Sequence, residues 1–415
     1  MTTTWTKRTA VFLTGQTISL FGSSLVQFAI SWHITLSTKS GLMMAISTLC
    51  GFLPQVLISL FGGVWADRFD RKKLIILADG TIAVFTALLA ILFTLGYTNI
   101  WLLFVISAVR SLGAGIQTPA VSAFLTELVP QDKLMRVNGI NASIQSVMML
   151  LAPAAAGGLY NMMSLGSVFW VDLITAVAGI SLLLVLKVAK RDKPEEAPES
   201  FLRDLLSGIR YVTGTKWLRQ FLGFYLIYAI MYGPVVFLTP LMVARSFGDE
   251  SWRLVVHEMA FSIGSILGGV LVGWIGQKFR NKVHMLMWAS VVFGLTTCIM
   301  GFSPNFWFYL GIMLPMGVTM PFVNTGAMTV LQIRTKQDMI GRVFGLVSII
   351  GSGAMPLSMA LFGPLSDAVS VELLLIVTGV LMMLICLATL LFKEMYAAGE
   401  PLPAEADPAL TECER

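Results

Sequence analysis

Twelve long apolar runs govern what this chain can fold into. A helix must continue for about 20 apolar residues to cross the hydrocarbon core, because no water is there to satisfy a free N–H or C=O. Such runs lie at roughly 10–36, 41–65, 74–96, 99–126, 138–160, 165–186, 218–243, 254–276, 283–302, 306–331, 343–365 and 371–392. Hydrophobic residues make up 56% of the chain and charged residues 12%, against about 45–50% and about 25% in soluble domains. That balance excludes an ordinary soluble enzyme and is the reverse of what a disordered chain needs. The expected fold is an all-α membrane protein with twelve transmembrane helices. Gly96–Asn99 and Ser303–Asn305 are so short that spans 3 and 4, and spans 9 and 10, must form tight hairpins. The first run follows Lys7 and Arg8 but is too long for a cleaved signal peptide, so it reads as a retained helix.

The basic residues give the topology. Of the 28 Lys and Arg, Arg110 lies inside a span and Lys39, Arg245 and Arg253 lie on one side; all the others fall on the opposite side or at the termini. The positive-inside rule makes that second side cytoplasmic and places both termini there. The pI near 9.0 therefore reports topology, not a nucleic-acid partner. Cys50, Cys298, Cys386 and Cys413 form no CxxC, and His33, His257 and His284 are scattered, so no disulfide, metal or cofactor is expected. No HExxH or GxSxG argues for an enzyme.

The longest hydrophilic stretch divides the chain. Residues 1–190 read as a six-helix half, 191–216 as a cytoplasmic linker, 217–392 as a second six-helix half and 393–415 as a cytoplasmic tail. Leu202, Leu205, Leu206, Ile209 and Val212 recur at helical spacing, which predicts an amphipathic helix on the membrane surface within the linker. The acidic tail reads as a solvated, disordered end.

The halves repeat one another. Gly63-Val-Trp-Ala-Asp67-Arg68-Phe69-Asp-Arg71-Lys72 ends span 2, and Gly273-Trp-Ile-Gly-Gln277-Lys278-Phe279-Arg-Asn281-Lys282 ends span 8. Pro130-Gln-Asp-Lys-Leu-Met-Arg136-Val-Asn-Gly139 returns as Lys336-Gln-Asp-Met-Ile-Gly-Arg342-Val-Phe-Gly345, with five of ten positions identical. A duplicated six-span unit is the signature of a carrier that rocks two halves about a central site.

On these residues the chain resembles the major facilitator superfamily over essentially its whole length. Gly63-x-x-x-Asp67-Arg68-x-x-Arg71-Lys72 is similar to its loop 2–3 signature, with Asp70 where a glycine is usual. Arg110-Ser-Leu-Gly113-Ala-Gly115 is similar to the embedded-arginine motif of proton-coupled members. Ala152-Pro153-Ala-Ala-Ala-Gly157-Gly158 resembles the antiporter motif, with Ala152 for its glycine. More narrowly, Gly51-Phe-Leu-Pro54, Ala66–Lys73 and Arg110–Gly113 resemble bacterial macrolide-efflux proteins and drug:proton antiporters. The resemblance implies a conformational latch of Gly63, Asp67, Arg68, Arg71, Lys72 and Glu127. In it Asp67 faces the positive N-terminus of span 11 near Arg342, and Arg71 reaches Glu127. The plainer alternative is a positive-inside anchor, to which Asp67 and the glycines would add nothing. Gln277 replaces the acid in the second copy, which predicts no full latch there.

A lone charge in a span costs on the order of 2.5–3.5 kcal/mol on insertion scales, so Arg110 should face a partner. Its plainer role is a structural bond to backbone carbonyls. Proton carriers should be acids inside the membrane; Asp172 and Glu258 are the candidates, while Asp79 and Glu127 read as boundary or latch residues near the inner ends. Pro153 and Gly157 give span 5 a kink and a small-residue face, which serves close packing or an antiport role. Gln27, His33, Gln117, Asn141, Gln145, Tyr228, Tyr232 and Asn324 suit a cavity for a bulky amphipathic ligand, or glue helices together.

The combined expectation is an exporter in a bacterial cytoplasmic (inner) membrane. It would move lipophilic, macrolide-like drugs out by proton antiport and alternating access. One chain carries both halves, so the default is a monomer. Alternatives are an exporter of a native metabolite or siderophore, a nutrient importer, a channel and a membrane-embedded enzyme.

Overall fold

The computed structural model describes residues 2–186, 201–337 and 339–400. Twelve helices among them are long and apolar enough to cross a membrane. They are Trp5–Thr38, Gly41–Ser59, Arg71–Thr94, Ile100–Leu128, Arg136–Met162, Leu165–Val185, Lys216–Phe247, Ser251–Lys278, Lys282–Met300, Phe306–Arg334, Ile340–Ala368 and Val371–Leu391. They are numbered spans 1 to 12 below. The helix of span 2 continues to Arg68. The end of the bundle carrying most Lys and Arg is called the basic end, and the opposite one the far end.

Short polar residues at the turns start several of these helices. Asn99 Oδ1 accepts from Trp101 N at 3.0 Å and Asn305 Oδ1 from Phe308 N at 2.9 Å. Each cap satisfies a backbone donor that the first helical turn leaves unpaired. The two tight hairpins therefore begin spans 4 and 10 without a long loop.

The chain forms two compact units. The first joins Met1–Ala197 to Val236–Met259 and Met355–Val371. The far-end portions of spans 7, 8 and 11 thus group with the first six spans. In this unit spans 1, 3, 4 and 6 pack together around two apolar clusters. One contains Ile30, Leu89, Phe104 and Phe169; the other, toward the basic end, contains Phe12, Ile75, Phe124 and Leu183. The second unit is Pro198–Val235, Ala260–Ala354 and Glu372–Arg415. Within it spans 9 and 10 pack side by side.

In the linker, Phe201–Gly214 is helical. Gly208 packs against Arg342, and the Tyr211 hydroxyl accepts from Lys336 N at 3.5 Å. The tail departs from expectation at its start. Lys393–Ala398 is a short helix, not a disordered end. Its carbonyls hold it to the bundle: Asn281 Nδ2 donates to Tyr396 O, and Arg334 donates to Ala397 O, Ala398 O and Glu400 O. Tyr396 Oη also lies 2.9 Å from His284 Nδ1. Asn281 sits in the second copy of the loop motif, so that copy anchors this short helix. Residues 401–415 lie outside the described residues.

Candidate functional site

Span 4 carries its arginine into the interior of the first unit. Arg110 Nη1 donates to Asp172 Oδ2 of span 6 at 2.5 Å and to Thr86 Oγ1 of span 3 at 2.6 Å. Its Nη2 donates to the Ser23 carbonyl of span 1 at 3.3 Å. One guanidinium thus ties four helices together, using the planar fork that lysine lacks. The two side chains of the pair are 7% and 1% exposed. Burial of that degree is affordable only for opposite charges in contact. Asp172 Oδ1 is buried with no hydrogen-bond partner among the described residues. It faces the backbone of span 1 at Gly22, where an added methyl would meet Asp172 Oδ1 at 2.9 Å and collide with the Thr175 hydroxyl. Glycine at that position lets span 1 close over the carboxylate.

A second acid lies beside this pair in the same four-helix core. Asp79 of span 3 is 4% exposed, and its Oδ1 accepts from Gln117 Nε2 at 2.8 Å. Gln117 Nε2 also lies 3.4 Å from Gln16 Oε1. The reading of Asp79 as a boundary residue is corrected: it is buried and paired to an amide. Gln117 serves this chain of polar groups. With Arg110 and Asp172 it forms a polar seam through spans 1, 3, 4 and 6.

At the basic end, Arg71 clamps spans 2 and 4. Its Nε donates to Ala66 O at 2.9 Å and its Nη1 to Ala123 O at 2.8 Å, with Glu127 Oε2 at 3.6 Å. Lys72 Nζ donates to Leu184 O and Leu186 O, the open carbonyls ending span 6. A cation at a helix C-terminus satisfies groups that have no intrahelical partner. Gly63 is half-buried and Arg68 exposed. The Asp67 side chain lies outside the described residues, and so does its expected contact with span 11.

The far end holds a cluster that the sequence reading missed. The Asp367 carboxylate, at the end of span 11, accepts from Gly41 N at 2.7 Å, Leu42 N at 3.0 Å and Ser40 Oγ at 2.7 Å. It thereby caps the N-terminus of span 2 from another element. Arg245, ending span 7, donates to Asp367 Oδ1 at 2.6 Å, Ser366 O at 2.6 Å and Lys39 O at 2.7 Å. Lys39 pairs with Asp249 at 2.5 Å. No local motif marks Asp367, because its partners lie 122 to 327 residues away in sequence.

Span 5 meets span 8 at a glycine. A methyl on Gly157 would overlap Val255, so the small residue permits the approach, and the buried Pro153 lies one turn before it. Above it Ser251 Oγ donates to Asn161 Oδ1. A cavity of about 620 Å³ opens here, lined by His33, Tyr160, Asn161, Glu250, Ser251 and Trp252. His33 Nδ1 lies 3.2 Å from Tyr160 Oη. Glu258 is half-buried, two turns into span 8, and makes no hydrogen bond or ion pair among the described residues. The structure thus brings Asp172 to Arg110 but leaves Glu258 apart from them.

The remaining cavity candidates divide. Gln27, Gln145 and Asn324 are exposed, and Asn141 is half-buried. Tyr228 is a correction: it is buried in an aromatic group with Phe224 and Phe293, at ring distances of 5.9 and 6.5 Å. Tyr232 is half-buried and stacks at 5.6 Å on the same Phe293. Their spacing on span 7 was legible; which face met a neighbouring helix was not.

The family described as transmembrane secretion effector (MFS_3) matches residues 6–406. The chain belongs to that family. Among the relatives of this chain is macrolide efflux protein A of Streptococcus pyogenes, 28% identical over 92% of this chain and 95% of that one. The protein of the same name from Enterococcus faecalis is 29% identical over 75% of this chain and 97% of that one. The enterobactin exporter EntS of Shigella flexneri is 25% identical over 93% of each. A solved bacterial homologue of the iron transporter ferroportin, in an inward-facing state, superposes with a TM-score of 0.65 at 16% identity, covering 92% of this chain and 98% of that one. A POT family transporter in complex with 5-aminolevulinic acid superposes at 0.71 and 11% identity, covering 92% and 95%. The chain therefore has the major facilitator fold, and it is a multi-pass membrane transporter of the efflux type.

Proposed function

We propose that this protein is a proton-driven exporter of lipophilic, macrolide-like compounds in a bacterial inner membrane. The observation that supports the reading most is the buried Arg110–Asp172 pair, with Asp172 Oδ1 left unpartnered. A carboxylate that gains a proton loses its attraction for the guanidinium, which then needs other acceptors. Thr86 and the Ser23 carbonyl are already in place. Protonation therefore changes the forces among spans 1, 3, 4 and 6, which is the kind of local event that biases a two-state element. One charge moved down 100 mV supplies about 2.3 kcal/mol, roughly a fiftyfold gradient per proton.

The same reading gives the two ends complementary parts. Arg71 and Lys72 at the basic end hold helix ends on the cytoplasmic side. Asp367 and Arg245 hold the opposite side shut, and alternating access requires that the cluster at Asp367 release when the transporter opens outward. The chain acts alone as a monomer, with a small lipophilic substrate and protons as its partners.

A second reading, export of a native metabolite such as a siderophore, draws on the enterobactin exporter among the relatives. The separating experiment measures accumulation of a labelled macrolide and of a labelled catecholate siderophore in pump-deficient bacteria expressing this chain. Macrolide accumulation falling, with a protonophore abolishing the effect, supports the first reading. A fall in the siderophore alone replaces it with the second.

A further inference from the structure

A cavity of about 720 Å³ lies between the basic-end portions of spans 1 and 5, and no step of the transport reading uses it. Its mouth carries Trp5, Lys133 and Arg136. Arg136 is exposed and makes no hydrogen bond or ion pair among the described residues. Among the described residues the Lys133 side chain reaches only its neighbour Asp132, at 3.1 Å, and it stays half in solvent. The helix of span 5 begins at this mouth, at Leu134, and its N-cap makes no side-chain hydrogen bond. Lys133 N and Leu134 N already donate to Pro130 O and Gln131 O, so the mouth offers an anion its two basic side chains and the positive end of the helix dipole.

Behind the mouth the lining is mainly apolar. Leu13 and Ile18 of span 1 face Val137, Ile140 and Ile144 of span 5, with Thr14 and Thr17 between them and the Thr17 hydroxyl donating back to Leu13 O. From Ala10 to Ile18 the helix rises about 12 Å, close to the roughly 15 Å depth of one leaflet. Thr9, 4% exposed, lies at the boundary between the two parts.

We infer that this cavity binds an anionic phospholipid of the cytoplasmic leaflet. The phosphate meets Arg136 and Lys133 at the start of span 5, and one acyl chain lies along Ile140 and Ile144. Basic pockets between helices on the cytoplasmic side select anionic headgroups for this reason, and an indole at the mouth suits the interface. Charge at one end and a leaflet-deep apolar trough behind it fit a lipid better than a soluble anion. The site does not depend on which compound is exported.

Native mass spectrometry of the detergent-purified full chain tests this. The probes are phosphatidylglycerol and phosphatidylcholine with identical acyl chains. The wild type should hold one phosphatidylglycerol more tightly than any phosphatidylcholine. Arg136→Ala should weaken that binding about fivefold, and Ile144→Trp, which fills the trough, should weaken both lipids. Arg280→Ala removes an exposed arginine of the same end and should leave the binding unchanged. Equal affinity for the two lipids, or equal loss in Arg136→Ala and Arg280→Ala, would overturn the assignment. So would displacement of the phosphatidylglycerol by micromolar erythromycin, which would give the cavity to cargo. Each variant is first checked for a monodisperse, folded elution profile, and Ile144→Phe supplies a milder trough-filling variant, expected to weaken both lipids, should Ile144→Trp fail to fold.

Discussion

Asp367 and Arg245 meet at 2.6 Å at the far end of the bundle, and the same carboxylate caps the first turn of span 2. One acid thus joins the ends of spans 2, 7 and 11. Loss of a helix cap costs about 0.5–2 kcal/mol, and a partly exposed ion pair adds about 0.2–1 kcal/mol. Asp367→Ala should therefore favour opening of this end by roughly 1–3 kcal/mol, or about 5–150-fold. Spin labels at the far ends of spans 1 and 11 read this as a gain of longer distances. Unchanged distance distributions would remove the cluster from the transport cycle.

At the other end, Arg71 and Glu127 are 3.6 Å apart, while Arg71 bonds Ala66 O and Ala123 O directly. The carbonyls carry more of the interaction than the carboxylate does. Glu127→Gln should cost under about 1 kcal/mol, whereas Arg71→Ala should cost about 1.5–3 kcal/mol through lost charged hydrogen bonds. Thermal unfolding in detergent should show a clearly lower Tm for the second variant and a small change for the first. The reverse ranking would make the ion pair the principal contact.

The twelve spans were legible because length and hydropathy alone decide whether a segment can cross a membrane. Arg110 was legible as well, since a single charge in an apolar helix must find a partner. Asp79 was misjudged because sequence position shows its depth but not the Gln117 amide turned toward it. Asp367 left no local signal, since its meaning comes from span 2 and span 7 arriving beside it. The start of the tail was misread because acidic residues dominate the composition of the tail as a whole. The short helix Lys393–Ala398 is held by backbone carbonyls, which composition cannot report.

Gly22 offers a test of how tightly span 1 closes on span 6. Its missing Cβ leaves room for Thr175. Gly22→Ala should cost about 1–3 kcal/mol through overpacking. Thr175→Ala in the same chain should recover most of that loss, giving a non-additive double-mutant cycle. The Tm values of the four proteins measure it. Strictly additive effects would place the strain elsewhere.

The central claim is that Asp172 carries the coupling proton beside Arg110. The direct measurement uses inside-out membrane vesicles, an imposed pH gradient and a labelled macrolide, with wild type and Asp172→Asn at equal protein levels. Asn is close in size and cannot ionise, so the neutral state is fixed. The account predicts gradient-driven accumulation by the wild type, abolished by a protonophore. Asp172→Asn should accumulate nothing against a gradient yet still exchange label in counterflow. Gradient-driven accumulation by Asp172→Asn at the wild-type rate would contradict the account.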